Sequence, residues 1–436
     1  MNATPLAAIV TTDLTAITRG RFMPADRIAD AATGVGWVPA NIALRADGEI
    51  VADNIWGSAG DLRLMPDPAA RYVTAGTGAP TPFDMTMGDI VELNGRPWSG
   101  CSRSQLKAAL FDFQAATGLR VVASFEQEFQ ILNTQMTAAH VFSYQALRRA
   151  EPFAGRYFAA LEEAGIAPEV IIAEYGAQQY EITSAPCDAL TAADRAVAIR
   201  EITREMCRLE GWQATFAPKS DPDGVGNGVH IHLSLVDESG NPATFDPAGP
   251  GRLSKQAGAF CAGILRHMPA LLAFTASSPA SFVRLRPHNW SSAWTWLGDR
   301  DREASLRICP TVEIDGKDPA PQFNVEYRAA DATANPYLAL AALVRAGLDG
   351  IANEATPVVF SGDPETLDPE ERIGKGLQRL PETLPAALDA LKESETVRGW
   401  FSEELVKTFL GIKRDECVAA EGLDDAELCT AIAMQY

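Results

Sequence analysis

The run Val121-Val122-Ala123-Ser124-Phe125-Glu126-Gln127-Glu128-Phe129-Gln130-Ile131-Leu132 limits the fold more than any other stretch of the chain. Its alternation predicts a strand with Glu126, Glu128 and Gln130 on one face and Phe125 and Phe129 on the other. The two rings demand an apolar core behind the strand. The two carboxylates repel each other and persist side by side only where water solvates them or a cation lies between them. The strand is therefore either a solvated edge or one wall of a cation site.

Three further segments repeat this design. Ile171–Ile182 reads as a strand, a kink at Gly176 and a second strand with Gln179 and Glu181 on one face. A Gly-rich loop, Asp223-Gly224-Val225-Gly226-Asn227-Gly228, opens His230-Ile231-His232-Leu233-Ser234-Leu235, where His230, His232 and Ser234 share a face. In Phe323-Asn324-Val325-Glu326-Tyr327-Arg328, the residues Asn324, Glu326 and Arg328 do the same. Four such strands in one domain predict a sheet whose concave face is an active site.

Residues 1 to about 100 read differently. Ala8-Ile9-Val10 and Ile90-Val91-Glu92-Leu93 predict strands, with a turn at Asn94-Gly95, so a small, mainly β domain is expected. Ser102 or Ser104 can cap a helix with apolar face Leu106, Ala109, Leu110 and Phe113, ended by Gly118. Helical periods recur over 141–164, 188–210, 254–275, from Asn335-Pro336 onward, and around 384–391 and 400–410. A chain of 436 residues accommodates two or three domains.

Charge excludes some functions. The net charge is −20 and no Lys/Arg stripe offsets it, so no nucleic-acid partner is expected. No uninterrupted apolar run reaches the roughly 18 residues of a membrane span. Met1–Pro5 carry no positive segment leading into an apolar core, so neither a membrane partner nor a secretory signal is expected. The seven cysteines stand singly without a CxxC pair, as in a cytoplasmic protein with reduced thiols.

The inward groups are Glu126, Glu128, Glu174, Glu181, His230 and Glu326. So many carboxylates carry too much negative charge to sit together without a cation. Hard oxygen ligands in that number suit Mg²⁺ or Mn²⁺ rather than zinc, and six ligands could serve two ions with positions left open for phosphate oxygens. For His230 alone, a satisfied strand histidine is the alternative. Positive charge concentrates at Arg284-Leu285-Arg286, Arg300-Asp301-Arg302, Arg307 and Arg328. Guanidinium forks bind phosphate and carboxylate in bidentate fashion, and metals plus arginines are what phosphoryl transfer needs. Surface salt bridges are the alternative for these arginines. No GxxxxGK[ST] occurs, so a P-loop is excluded.

The chain resembles the glutamine synthetase family over essentially its whole length. The resemblance rests on Phe125-Glu126-Gln127-Glu128-Phe129, on Glu174 through Gln179-Tyr180-Glu181, and on Ala217-Pro218-Lys219. It continues through Gly226–Ser234, Arg302-Glu303-Ala304-Ser305-Leu306-Arg307-Ile308, Val325-Glu326-Tyr327-Arg328 and Asn335-Pro336-Tyr337. It implies an α+β fold: a β-grasp domain over 1–102 and a catalytic domain over 103–436, with a curved antiparallel sheet flanked by helices. It implies a carbon–nitrogen ligase that uses ATP and two or three Mg²⁺ or Mn²⁺ ions to join the γ-carboxylate of L-glutamate to an amine through γ-glutamyl phosphate. Glu128, Glu174 and Glu181 match the ligands of one ion, and Glu126, His230 and Glu326 those of the ion on the ATP phosphates. Glu169, His232 and Ser234 match ATP contacts. Arg302 and Arg307 match the catalytic arginines at the transferred phosphate. Gly226, Arg284 and Arg328 match the glutamate site, Arg328 being catalytic as well. Rings of subunits, typically a dodecamer with active sites between subunits, are also implied.

One departure bears on the substrate. Ammonia-using members carry a Glu on a flap six residues after the position of Arg284, and here Trp290 stands there. The family's Asp-Gly-Ser-Ser stretch also lacks a convincing counterpart, the chain having Asp53-Asn54-Ile55-Trp56-Gly57-Ser58-Ala59-Gly60-Asp61 instead. Exchanging a carboxylate for an indole removes a charge that ammonium needs and adds an apolar surface for an alkyl group. A small primary amine, methylamine foremost, is therefore the expected donor, and the wider pattern resembles the γ-glutamylmethylamide-forming branch. A polyamine or ammonia donor is the alternative. A non-catalytic member would be marked by lost ligands, and all six are present.

Overall fold

The computed structural model describes residues 3–51 and 54–436; Asp53, in the stretch singled out above, lies outside the described residues. Near the N-terminus, β1 (Leu6–Thr12), β2 (Thr18–Pro24), β3 (Val35–Trp37), β4 (Leu62–Thr74) and β5 (Phe83–Val91) form a sheet in the order β2-β1-β5-β4-β3. β1 and β5 run parallel, and every other pair is antiparallel. The strand expected at 90–93 stops at Val91. A tight turn takes over there: Glu92 N–H donates to Arg96 C=O at 2.8 Å, and Gly95 has φ +83°.

The second sheet holds β6 (Arg120–Leu132), β7 (Pro168–Ala173), β8 (Gln179–Ser184), β9 (Cys187–Asp188), β10 (Gln213–Thr215), β11 (Val229–Val236), β12 (Leu297–Asp299), β13 (Leu306–Ile308) and β14 (Val325–Tyr327). Its path is β12-β13-β14-β11-β6-β8-β7, with β9 and β10 also on β6. All pairs are antiparallel except β12–β13. The fold is thus α+β. On β6 the odd residues Val121, Ala123, Phe125, Phe129 and Ile131 are buried in the core, as the alternation requires. Gln127, also on that side, donates from Nε2 to Ala196 C=O at 3.0 Å and ties the strand to the helix Ala189–Leu209.

The helices follow the expected periods with three departures, the first being that the period over 141–164 is broken into Tyr144–Arg149 and Phe153–Glu163. Helix Ser102–Thr117 is preceded by Cys101, and neither expected serine caps it; Gly118 closes it at φ +69°. The helix expected from residue 400 starts at Glu403, because Ser402 Oγ accepts from Leu405 N–H and Asp or Glu follows in the first turn. Helix Lys255–Thr275 is long and apolar enough to cross a membrane by length and composition, yet most of its residues are buried in this fold. It packs on Pro336–Ala352 at a near backbone contact: a Cβ on Gly263 would lie 2.1 Å from Ala346 O. Arg103, 2% exposed, joins the two parts of the chain through Asp194 on one side and Asp67 and Asp89 on the other.

Candidate active site

Strand register assembles the site. β11 pairs with β6 so that His230 stands opposite Glu126, and with β14 so that His232 stands opposite Glu326. β13 sets Arg307 opposite Glu326, and β8 sets Glu181 opposite Glu128. These cross-strand neighbours, Glu326 excepted, line a cavity of about 1200 Å³. Glu126, Glu128, Glu169, Glu174, Glu181, Gly226, His230, His232, Ser234, Arg284, Trp290, Arg302, Arg307 and Arg328 all reach it. Glu326 lies just beneath, 1% exposed, held by Arg307 Nη1 at 2.8 Å and by Arg328 Nη1. Arg286 and Arg300, by contrast, are surface groups facing Asp425 and Asp299.

The titratable groups divide into two kinds. Burial alone would raise Glu326, but the charges of His230, Arg328 and His232 outweigh it and bring the carboxyl down to about 2. Glu126 is likewise buried, and its contacts with His230 and His232 hold it well below the usual range. Its Oε2 lies 3.4 Å from His230 Nδ1 and its Oε1 3.0 Å from His232 Nε2. Glu181 has no such partner. Burial, then the charges of Glu126, Glu128 and Glu174, push it up to about 9. Burial and Glu128 raise Glu174 in the same sense. One half of the cluster is thus short of positive charge, which is the condition a divalent ion meets.

Among the described residues, two groups have ligand atoms within 4.8 Å of one another: Glu126, His232 and Glu326, and Glu126, Glu181 and His230. Glu126 belongs to both. Glu128 and Glu174, expected to join Glu181 around one ion, line the same cavity but belong to neither of these groups. Glu128 Oε2 accepts from Gly228 N–H at 2.8 Å, and Glu174 Oε2 accepts from Tyr175 N–H at 3.3 Å. Like-charge repulsion favours such backbone donors over a shared position.

The raised carboxyl of Glu181 links metal binding to pH. Its contribution to apo stability is fully present below about 4.5 and is lost as pH rises toward about 9, because the native state holds the proton more tightly than the unfolded chain. A divalent ion held by Glu181 would displace that proton. Its affinity is therefore expected to rise by up to about tenfold per pH unit per proton displaced between pH 6 and 8. Calorimetric titration with Mg²⁺ or Mn²⁺ in buffers of different ionisation enthalpy measures both the affinity and the proton release; a flat profile would exclude a proton on Glu181.

The anion-binding side is built by close backbone approach. A Cβ at Gly226 would sit 2.6 Å from Arg284 Cγ, so only glycine lets that side chain cross the loop. Arg284 is 5% exposed and donates from Nη2 to Ala330 C=O at 2.6 Å, while its Nε has no partner; Arg307 Nε has none either. Burial lowers the Arg284 pKa, opposed by the charges of Asp331 and Glu128. Unpaired guanidinium N–H groups beside a cavity are ready carboxylate and phosphate donors.

Sequence reasoning passed over several residues. Lys219, 7% exposed, holds the Gly-rich loop through Pro222 and Gly224 carbonyls, and its place in Ala217-Pro218-Lys219 was the available signal. Asn324, placed by its spacing on the face of Glu326 and Arg328 but given no role, lies with Oδ1 2.8 Å from His232 Nδ1. Phe142 and Tyr175 line the cavity with exposed rings, and no sequence signal marks Phe142. Trp56 packs on Trp98 and donates to Thr408 Oγ1 at 3.0 Å; none of Asn54–Asp61 is among the cavity-lining residues.

Comparison with known proteins identifies the family. Residues 99–428 match the family described as glutamine synthetase, catalytic domain, and residues 1–98 match the glutamine synthetase N-terminal domain. A gamma-glutamylpolyamine synthetase of Streptomyces coelicolor is 34% identical over 97% of this chain and 92% of its own length. A glutamine synthetase of Methanocaldococcus jannaschii is 29% identical over 85% of this chain and 82% of its own. The crystal structure of a glutamine synthase homolog superposes with a TM-score of 0.92 at 41% identity, covering 100% of this chain and 99% of that one. A GmaS/ADP complex superposes at 0.80 and 26% identity, covering 97% and 95%. The chain belongs to the glutamine synthetase family and is an ATP-dependent carbon–nitrogen ligase.

Proposed function

We propose that this ligase joins the γ-carboxylate of L-glutamate to a small primary amine, methylamine foremost. The observation that carries this reading is Trp290: an indole, not a carboxylate, lines the cavity on the loop after Arg284. The γ-carboxylate oxygen attacks the γ-phosphorus of ATP and ADP leaves. The neutral amine then attacks the acyl carbon, phosphate leaves, and the nitrogen loses a proton. Arg284, Gly226 and Arg328 hold glutamate in this reading, Glu169, His232 and Ser234 hold ATP, and Arg302 and Arg307 with Arg328 face the transferred phosphoryl group. Glu126, Glu128, Glu174, Glu181, His230 and Glu326 would hold Mg²⁺ or Mn²⁺, which would neutralise phosphate charge.

The same reading divides the chain near residue 102, with a β-grasp N-terminal domain, supported by the parallel β1–β5 pair between antiparallel neighbours. It takes the enzyme as cytoplasmic, supported by seven unpaired cysteines, and as a ring, a dodecamer of two hexamers. No residue of the N-terminal sheet is among those lining the cavity, as suits a site completed by a second subunit. The similarity to the Streptomyces polyamine enzyme favours a second reading, a polyamine donor.

Phosphate release from ATP and glutamate, with product masses, against ammonia, methylamine, ethylamine and putrescine decides among these. Methylamine is expected to exceed ammonia in kcat/KM by about tenfold or more, on the order of one charge-assisted hydrogen bond. Putrescine ahead of methylamine would establish the second reading, and ammonia ahead of both would overturn the donor argument.

A further inference from the structure

The loop that carries Trp290 is held by a carboxylate that neither the proposed metal site nor the proposed substrate sites use. Glu303 lies in the turn between β12 and β13, beside Arg302. Its Oε2 accepts from His288 N–H at 3.1 Å and its Oε1 from Trp290 N–H at 2.6 Å. Both loop residues have left-handed backbones, φ +61° and +54°. Such conformations are strained for non-glycine residues and persist only where the surroundings over-determine them. They also turn alternate N–H groups toward one side, making a small anion-binding concavity that one carboxylate fills. Arg328 secures the same loop from the cavity side, donating from Nη2 to Trp290 C=O at 3.2 Å and from Nε to Arg302 C=O at 2.9 Å. The loop is therefore tied at both ends of one residue, Trp290, to the segment that bears Arg302 and Arg307.

We propose that Glu303 is a positioning residue for donor specificity: it clamps the His288–Trp290 loop so that the indole presents a fixed apolar wall to the incoming amine. This rests on the amine-ligase reading above. Glu303 acts through Trp290 and touches no reacting atom. Each N–H takes its own carboxylate oxygen here, and in glutamine one of those two positions becomes an amide nitrogen that faces an N–H and cannot accept it.

The test compares Glu303→Gln, Glu303→Ala, Trp290→Ala and the Glu303→Gln/Trp290→Ala double variant of the full chain. For Glu303→Gln the KM for methylamine is expected to rise about tenfold or more, since loss of position at this level carries such costs. The KM values for ATP and glutamate are expected to move less than about twofold. The double variant is expected to be no worse in amine KM than Trp290→Ala, because the clamp has nothing left to position. Hydrogen exchange read by mass spectrometry over 287–292 is expected to lose protection in Glu303→Gln and Glu303→Ala. An unchanged amine KM in Glu303→Gln, additive losses in the double variant, or unchanged exchange would each overturn the proposal. Wild-type enzyme without activity on any amine would overturn the amine-ligase reading instead, and the exchange measurement would still judge the clamp.

Discussion

Glu126→Gln is expected to lower kcat/KM by about a thousandfold, the scale of several kcal/mol of electrostatic stabilisation that a correctly held divalent ion supplies. Glu126 is the one residue common to both candidate ligand groups. It also faces two imidazoles, with His230 Nδ1 at 3.4 Å and His232 Nε2 at 3.0 Å. The amide keeps the side chain's size and removes its charge. His232, which burial would depress but which Cys309 and Glu126 hold well above the ordinary value, would titrate lower in the variant. Steady-state kinetics across metal concentrations, with thermal melting to verify the fold, measures the effect. Activity within about tenfold of wild type would show that the ion does not depend on this carboxylate.

Trp290→Glu is expected to shift donor preference from methylamine toward ammonia by about a hundredfold. Losing the apolar wall removes about 0.8 kcal/mol for the buried methyl. A carboxylate there gives ammonium a charge-assisted hydrogen bond of about 2 kcal/mol. Together these approach two factors of ten in the ratio of kcat/KM values. Competition between the two donors, read by product mass, gives that ratio directly. If the variant neither lost methylamine activity nor gained ammonia activity, Trp290 would be a packing residue only. Its backbone is held by Glu303 and Arg328, so the side chain is exchanged on a loop whose position stays set.

Much of the site was legible in the chain because strands alternate. On β6 the phenylalanines went to the core and the glutamates to the cavity, as read from two-residue spacing alone. Asn335 accepting from Tyr337 and Leu338 N–H, and Gly118 at the end of its helix, are local chemistry that neighbouring residues specify. The start of helix Ser102–Thr117 was misplaced for a related reason. Several capping candidates lie within a few residues, and packing rather than propensity selects among them. Glu303 was invisible, since nothing in its spacing tells that its carboxylate folds back on residues thirteen and fifteen positions earlier.

By itself the sequence determined which side chains face the cavity, since side-chain direction along a strand is a property of consecutive residues. It also determined the family, through motifs in a set order, and the presence of an indole at position 290. Only the tertiary structure decided which of those side chains meet. Register between β6, β11, β14, β13 and β8 brings His230 to Glu126, His232 and Arg307 to Glu326, and Glu181 to Glu128. A one-residue slip on any of these strands would send its polar groups into the core. That register also places Glu126 among histidines and Glu181 among carboxylates, so two glutamates of the same kind are shifted in opposite directions because their neighbours differ.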